Sequence, residues 1–156
     1  DGTIDLSKLP ADTAYIVTEL ECPGYIVDDA QRTIHLDGGE QAQFVFTNSK
    51  LPSLHLYKES ADGTPLGGVT YRLAKIEDGS RYLDRTTSST GEICWEGLEP
   101  GVYSLIETST VSDHLLDTTE YHVELFPGQD STVVLQNDKR PNLTVVKRER
   151  RQWASP

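Results

Sequence analysis

Hydrophobic and polar residues alternate with a period of two through most of this chain, the spacing of strands that bury one face. Leu54, Leu56 and Lys58 fall on one face of a first strand, and Val69, Tyr71 and Leu73 on one face of a second. Ile93 and Trp95 follow Gly91 in a short strand. Tyr103, Leu105 and Glu107 share a face, as do Tyr121, Val123 and Leu125, and then Val133, Leu135 and Asn137. Asp62 with Gly63, Asp78 with Gly79, Pro100 with Gly101 and Pro127 with Gly128 mark the turns between them. No segment carries an apolar stripe at helical spacing. Short strands at this spacing predict an all-β fold, a small antiparallel sandwich or barrel.

The alternation also repeats on a larger scale. Tyr25 and His114, Asp28 and Asp117, Leu36 and Leu125, Gly39 and Gly128, and Asn48 and Asn137 all stand 89 residues apart. The run "LPSLHLYK" ending at Lys58 matches "RPNLTVVK" ending at Lys147, again with an offset of 89. Tyr15 with Tyr103 and Glu19 with Glu107 are 88 apart, one residue having been added in the earlier turn. A shared register at three places predicts tandem modules. Residues 1–50 are the C-terminal half of one module, 51–140 a complete module, and 141–156 the first strand of a next module or a tail.

Each apolar face, extended by one step, places a polar residue inward. In the complete module these are Lys58, Glu107 and Asn137; in the partial ones they are Glu19, Asn48 and Lys147. A charged residue at a strand end ordinarily emerges into water. That reading weakens when a lysine, a glutamate and an asparagine take the same phase wherever their strand is present. Burying an ionised group costs several kcal/mol, roughly, unless it is paired.

Charge narrows the field of partners. The formal net charge is −11 with a pI near 4.7, which leaves no basic face for a nucleic acid. No apolar run is long enough to span a membrane, and no charged-then-apolar leader opens the sequence. The abrupt start at Asp1, Gly2 and Thr3 suggests a piece of a longer protein. Cys22 and Cys94 lie in different repeat contexts, without a Cys or His neighbour at metal-ligand spacing, so neither a disulfide framework nor a metal site is expected.

A lysine, a carboxamide and a carboxylic acid held together permit one reaction. The amine attacks the amide carbon and ammonia leaves, provided that the amine is neutral and the carbonyl polarised. An apolar surround favours neutral forms of amines and acids alike. A neighbouring acid can polarise the carbonyl and carry the proton to the leaving group, while folding supplies proximity. Joining the first strand to the last closes nearly the whole module into a loop.

The motifs that surround these residues are distinctive in combination: "GTPLGGVTYRL" at 63–73, "STGEI" at 89–93, "LEPGVYSLIET" at 98–108 and "VVLQN" at 133–137. With Lys58 on the first strand, the chain resembles the collagen-adhesin B-type (prealbumin-like, SpaA-type) repeat of Gram-positive adhesins and pilins. The resemblance covers 51–140 and, by its matching half, 1–50. It implies an immunoglobulin-like or prealbumin-like antiparallel β-sandwich. It further implies an intramolecular isopeptide bond with Lys58 as nucleophile, Asn137 as electrophile and Glu107 as proton shuttle. Glu19, Asn48 and Lys147 occupy the equivalent places in the partial modules. One departure is local: Pro23, Gly24 and Tyr25 keep the pattern in the first module, whereas the central one has Asp113, His114 and Leu115.

Other signals are weaker. His35, His55 and His122 alternate outward, Cys94 is expected as a free surface thiol, and Trp95 phases with the core. "LPADT" at 9–13 is a turn of the repeat, and Glu77 with Asp78 lacks calcium-loop spacing. The primary expectation is therefore a structural stalk or pilus shaft, extracellular and cell-wall-anchored, whose partners are neighbouring modules of the same protein. The alternative is an adhesin module that binds a host matrix protein or glycan. No Ser–His–Asp, phosphate or metal motif supports an enzyme acting on an external substrate, and no cofactor is implied. A final expectation is strand exchange between copies, with the spare strand 141–147 filling the gap in residues 1–50 of another chain.

Overall fold

The computed structural model describes residues 2–27, 31–77, 79 and 82–149, with the side chain of Tyr82 excepted. Asp28, Asp78, and the tail beyond residue 149 with its Trp153 lie outside the described residues. In chain order the strands are β1 (Thr13–Thr18), β2 (Tyr25–Ile26), β3 (Gln31–Leu36), β4 (Ser49–Lys50), β5 (Ser53–Ser60) and β6 (Thr70–Lys75). They continue with β7 (Tyr82–Thr86), β8 (Glu92–Trp95), β9 (Gly101–Ser109), β10 (Glu120–Leu125) and β11 (Asp130–Asn137). There is no helix among the described residues.

Strands β5 to β11 form two sheets, ordered β10-β9-β6-β7 and β11-β5-β8. Their inward faces are the ones that the alternation selects. Leu54, Leu56, Ile93 and Trp95 from one sheet meet Tyr71, Leu73, Tyr103, Leu105 and Leu125 from the other. Each fully buried side chain of this size contributes about 1.5–3 kcal/mol relative to exposure. The Trp95 indole also donates to the carbonyl of Leu83 on the facing sheet (3.3 Å).

Two features depart from the sequence reading. First, the sandwich is not wholly antiparallel: β11 runs parallel to β5, with Asp130 opposite Ser53 and Asn137 opposite Ser60, while every other described pair is antiparallel. A period of two reports which face is buried, not which strand is the neighbour or which way it runs. Second, β7 has no counterpart in the alternation. Leu83, Asp84, Arg85 and Thr86 are all exposed on this edge strand, so it has no apolar face to read.

Within the first fifty residues, β1 pairs with β3 and β2 with β4. Tyr15 stands opposite Ile34, as Tyr103 stands opposite Val123 in β9 and β10. Residues 43–48 bury alternate positions, Phe44, Phe46 and Asn48 being half-buried, yet they belong to no ladder. Residues 141–149 are exposed throughout and likewise belong to none.

Candidate functional site between the two sheets

Lys58 lies near the end of β5 and Asn137 closes β11, so the parallel pairing brings both to one end of the same sheet. Glu107 on β9 faces them from the other sheet, directly opposite Tyr71 on β6. The ladder shifts register between Thr70 and Tyr71, a bulge beside the site. Lys58 is fully buried, and Glu107 and Asn137 are each 3% exposed.

The contacts among them use nearly every polar atom. The Lys58 ammonium nitrogen Nζ donates to Asn137 Oδ1 (2.7 Å) and lies 3.1 Å from Glu107 Oε2. Asn137 Nδ2 donates to Glu107 Oε1 (2.7 Å) and to Thr110 Oγ1 (3.0 Å). This fixes the amide's orientation, because a carboxylate can only accept and the lysine nitrogen here donates. The Tyr71 hydroxyl donates to Glu107 Oε2 (3.0 Å), and Nζ sits 5.5 Å from the Tyr71 ring centre. Burial, reinforced by the Glu107 carboxylate, pushes the Tyr71 phenol far above its ordinary range, so it remains a donor. The amine therefore touches the oxygen bonded to the amide carbon, with a carboxylate that contacts both amine and amide nitrogen.

The sequence motifs hold the lysine backbone. The Lys58 amide donates to Gly91 O (2.7 Å) and its carbonyl accepts from Leu66 N (2.8 Å). Gly91 has φ +76°, and a Cβ added there would stand 2.3 Å from the Lys58 carbonyl oxygen. Gly91→Ala should therefore push β5 away from its neighbour and displace Nζ from Asn137. If Lys58 and Asn137 react as the resemblance implies, it should slow amide formation at least about tenfold, since small misplacements of reacting groups are costly. The time course of ammonia loss during refolding measures this; an unchanged rate would refute it.

Sequence reading missed Tyr71 and Thr110 as parts of this site. Tyr71 read as one more apolar inward residue, and only its opposition to Glu107 across the ladder gives its hydroxyl a purpose. It also missed a chain of hydrogen bonds next door. His114 Nε2 contacts Ser60 Oγ (3.1 Å) and its Nδ1 contacts Asp113 Oδ1 (2.9 Å). Ser60 and His114 are each 2% exposed, so the hydroxyl faces no solvent and the set ties the loop to the end of β5. Here the loop departs from the pattern of Pro23, Gly24 and Tyr25, and His114 is its anchor.

The remaining candidates fall as follows. Asn48 Nδ2 donates to Glu19 Oε1 (2.5 Å), while Lys147 lies in the exposed terminal stretch, apart from both. His35 and His122 are exposed, but His55 is half-buried. Cys94 is not the open surface thiol expected: it is half-buried, with its Sγ 3.7 Å from His55 Nε2, because the two stand opposite each other on β8 and β5. Burial pushes this thiol upward, away from reactivity. Both cysteines are unpaired. No cluster of metal-ligating side chains occurs among the described residues, nor does any helix long and apolar enough to cross a membrane.

A family profile described as the SpaA prealbumin-like fold domain matches residues 52–139, more than half of the chain. Among solved structures, the Bacillus anthracis TIE protein aligns with a TM-score of 0.58 at 22% identity, over 81% of this chain and 25% of that one. GBS52, the minor pilin of Streptococcus agalactiae, aligns with a TM-score of 0.54 at 23% identity, over 92% of this chain and 66% of that one. The Bacillus cereus major pilin subunit BcpA*(D312A) gives 0.52 at 20% identity, over 58% and 30%. This chain thus spans less than two thirds of each of these structures' length. No curated protein matches it.

Proposed function

The chain belongs to the SpaA prealbumin-like fold domain family, and from that premise we propose that it is a load-bearing segment of a Gram-positive surface stalk or pilus. In this reading, residues 51–140 form a module that crosslinks itself between Lys58 and Asn137. One observation carries it: a fully buried lysine whose amine is held against a carboxamide and a carboxylate from distant strands.

The chemistry needs only the chain's own groups. Glu107 takes a proton from the Lys58 amine. The neutral amine attacks Asn137 Cγ while the acid, touching both partners, polarises the amide. The Cγ–Nδ2 bond breaks as a second proton passes from the attached Nζ to the departing nitrogen, and with the proton returned by Glu107 that nitrogen leaves as ammonium, that is, ammonia and one proton. The product has no lysine charge, which removes the penalty for burying that ion. Because the crosslinked strands lie side by side and parallel, a pull along the chain that enters at β5 and leaves at β11 passes through the new bond. The module interior is thereby spared.

The proposed stalk role gains support from the junction before β5. β4 is paired with β2, Leu51 N donates to Gly24 O (2.9 Å), and Gly128 N donates to Lys50 O (2.6 Å). A junction bonded on both sides resists bending better than a free linker. Two of the similar structures are pilins, and cell-wall attachment outside the cell is the corresponding location proposed here. Proteolysis of the denatured protein tests the crosslink. It should yield a branched peptide joining the Lys58 and Asn137 segments; separate linear peptides only would overturn the reading. A pull-down on matrix proteins and glycans tests the alternative, and saturable binding there would favour an adhesive module.

A further inference from the structure

Asn137 Nδ2 is the nitrogen that must leave if Lys58 is to take its place. It carries two hydrogens, and both are bonded: one to Glu107 Oε1 (2.7 Å), the other to Thr110 Oγ1 (3.0 Å). Lys58, Glu107 and Thr110 all touch the Asn137 amide, but they differ in exposure. Lys58 is 0% and Glu107 3% exposed, whereas Thr110 is only half-buried. Of the three, the hydroxyl is thus the contact nearest to water.

We propose that Thr110 is a catalytic residue of the crosslinking reaction, one that binds the departing nitrogen and stabilises it as it becomes ammonium. The inference rests on the Lys58–Asn137 reading and adds to it a binding site for the leaving group. Before the reaction, the bond from Nδ2 to Thr110 Oγ1 comes from a neutral amide. As Nζ adds to Cγ, Nδ2 loses its conjugation with the carbonyl, takes up protons and gains positive charge. The same hydrogen bond then has an ionised donor, and such bonds are roughly twice as strong as neutral ones. A contact that strengthens on the way to the transition state speeds the step, whereas one of constant strength does not. Oγ1 accepts throughout and neither gains nor loses a proton. The balance of protons among Nζ, Glu107 and the leaving ammonium is therefore unchanged.

The loop after β9 puts the hydroxyl in place. The ladder with β6 ends at Ser109, so Thr110 is not held by strand pairing. Instead, His114 N donates to Val111 O (3.1 Å), closing a turn just past Thr110, and Val111 packs against the core. Further on, His114 Nε2 meets Ser60 Oγ (3.1 Å) and Leu115 N donates to Asp138 O (2.9 Å). Ser60 lies two residues beyond Lys58, and Asp138 one beyond Asn137. One loop is thereby bonded to the ends of both strands that supply the reacting groups. Thr110 reaches Nδ2 when β5 and β11 are side by side, which ties departure of the nitrogen to completion of the fold.

The test compares Thr110→Val, which keeps the shape without the hydroxyl, with Thr110→Ser, which keeps the hydroxyl. Whole chain recovered unfolded in urea from inclusion bodies is diluted into buffer and sampled over time for intact mass. Tryptophan fluorescence follows folding in parallel. Thr110→Val should lose ammonia at least about tenfold more slowly than the unmodified chain, and Thr110→Ser within about threefold of it. All three should fold at similar rates. A Thr110→Val chain that loses ammonia at the unmodified rate overturns the inference. So does a Thr110→Ser chain as slow as Thr110→Val, or a folding rate that falls in step with ammonia loss, because either makes Thr110 a structural contact only. If the unmodified chain loses no ammonia, the Lys58–Asn137 reading itself fails and the role of Thr110 falls with it.

Discussion

Glu107→Ala is expected to be the most damaging single change in the site. On the proposed chemistry it removes the proton carrier, so Lys58 and Asn137 should stay separate. It also strips the carboxylate from a lysine with no exposure at all, and takes an acceptor from both Asn137 Nδ2 and the Tyr71 hydroxyl. Breaking a buried ion pair from one side costs about 3–5 kcal/mol. That cost adds to the stabilisation the absent crosslink would have given, so the variant should unfold at much lower urea than the unmodified chain. Glu107→Gln separates the two effects. It keeps the shape and an acceptor for Asn137, but cannot take the amine proton. We expect it to be uncrosslinked yet distinctly more stable than Glu107→Ala. Equal stability of the two variants, or a crosslink in either, would show that Glu107 has a different role.

Lys58→Ala is expected to follow closely, through a different cause. The two residues that the proposed crosslink would join are 79 apart in sequence. In the chain-entropy model, closing a loop of that length stabilises the fold by about 4–5 kcal/mol. Its loss should lower the melting temperature by on the order of 20 °C. The variant should still fold, because Glu107 retains Asn137 and Tyr71 as donors and no unpaired ammonium is left inside. Its unfolding should also become susceptible to trypsin, whose cleavage of the opened chain follows the open population. A melting temperature within a few degrees of the unmodified chain would mean that no loop had been closed.

Much of this was legible in the residues alone. Alternation put Leu54, Leu56, Trp95, Tyr71 and Leu105 inside, and all are buried. The same phase put Lys58, Glu107 and Asn137 inward, and the structure gathers these three in one buried cluster. Other features have no one-dimensional signature. The parallel direction of β11 beside β5 depends on where the chain crosses between sheets. β7 is a strand because its backbone completes the edge of β6, not because of its exposed side chains. Tyr71 looks apolar until the ladder sets it opposite Glu107. His114 stands 89 residues after Tyr25, and nothing along the sequence announces that its ring nitrogen meets the hydroxyl of Ser60, 54 residues earlier.

The most direct test of the central claim is the intact mass of the single, fully denatured chain. A value below the sequence mass by one ammonia, restored to the full sequence mass in Lys58→Ala and in Asn137→Ala, is the predicted result. An unmodified chain that weighs what its sequence dictates would contradict it.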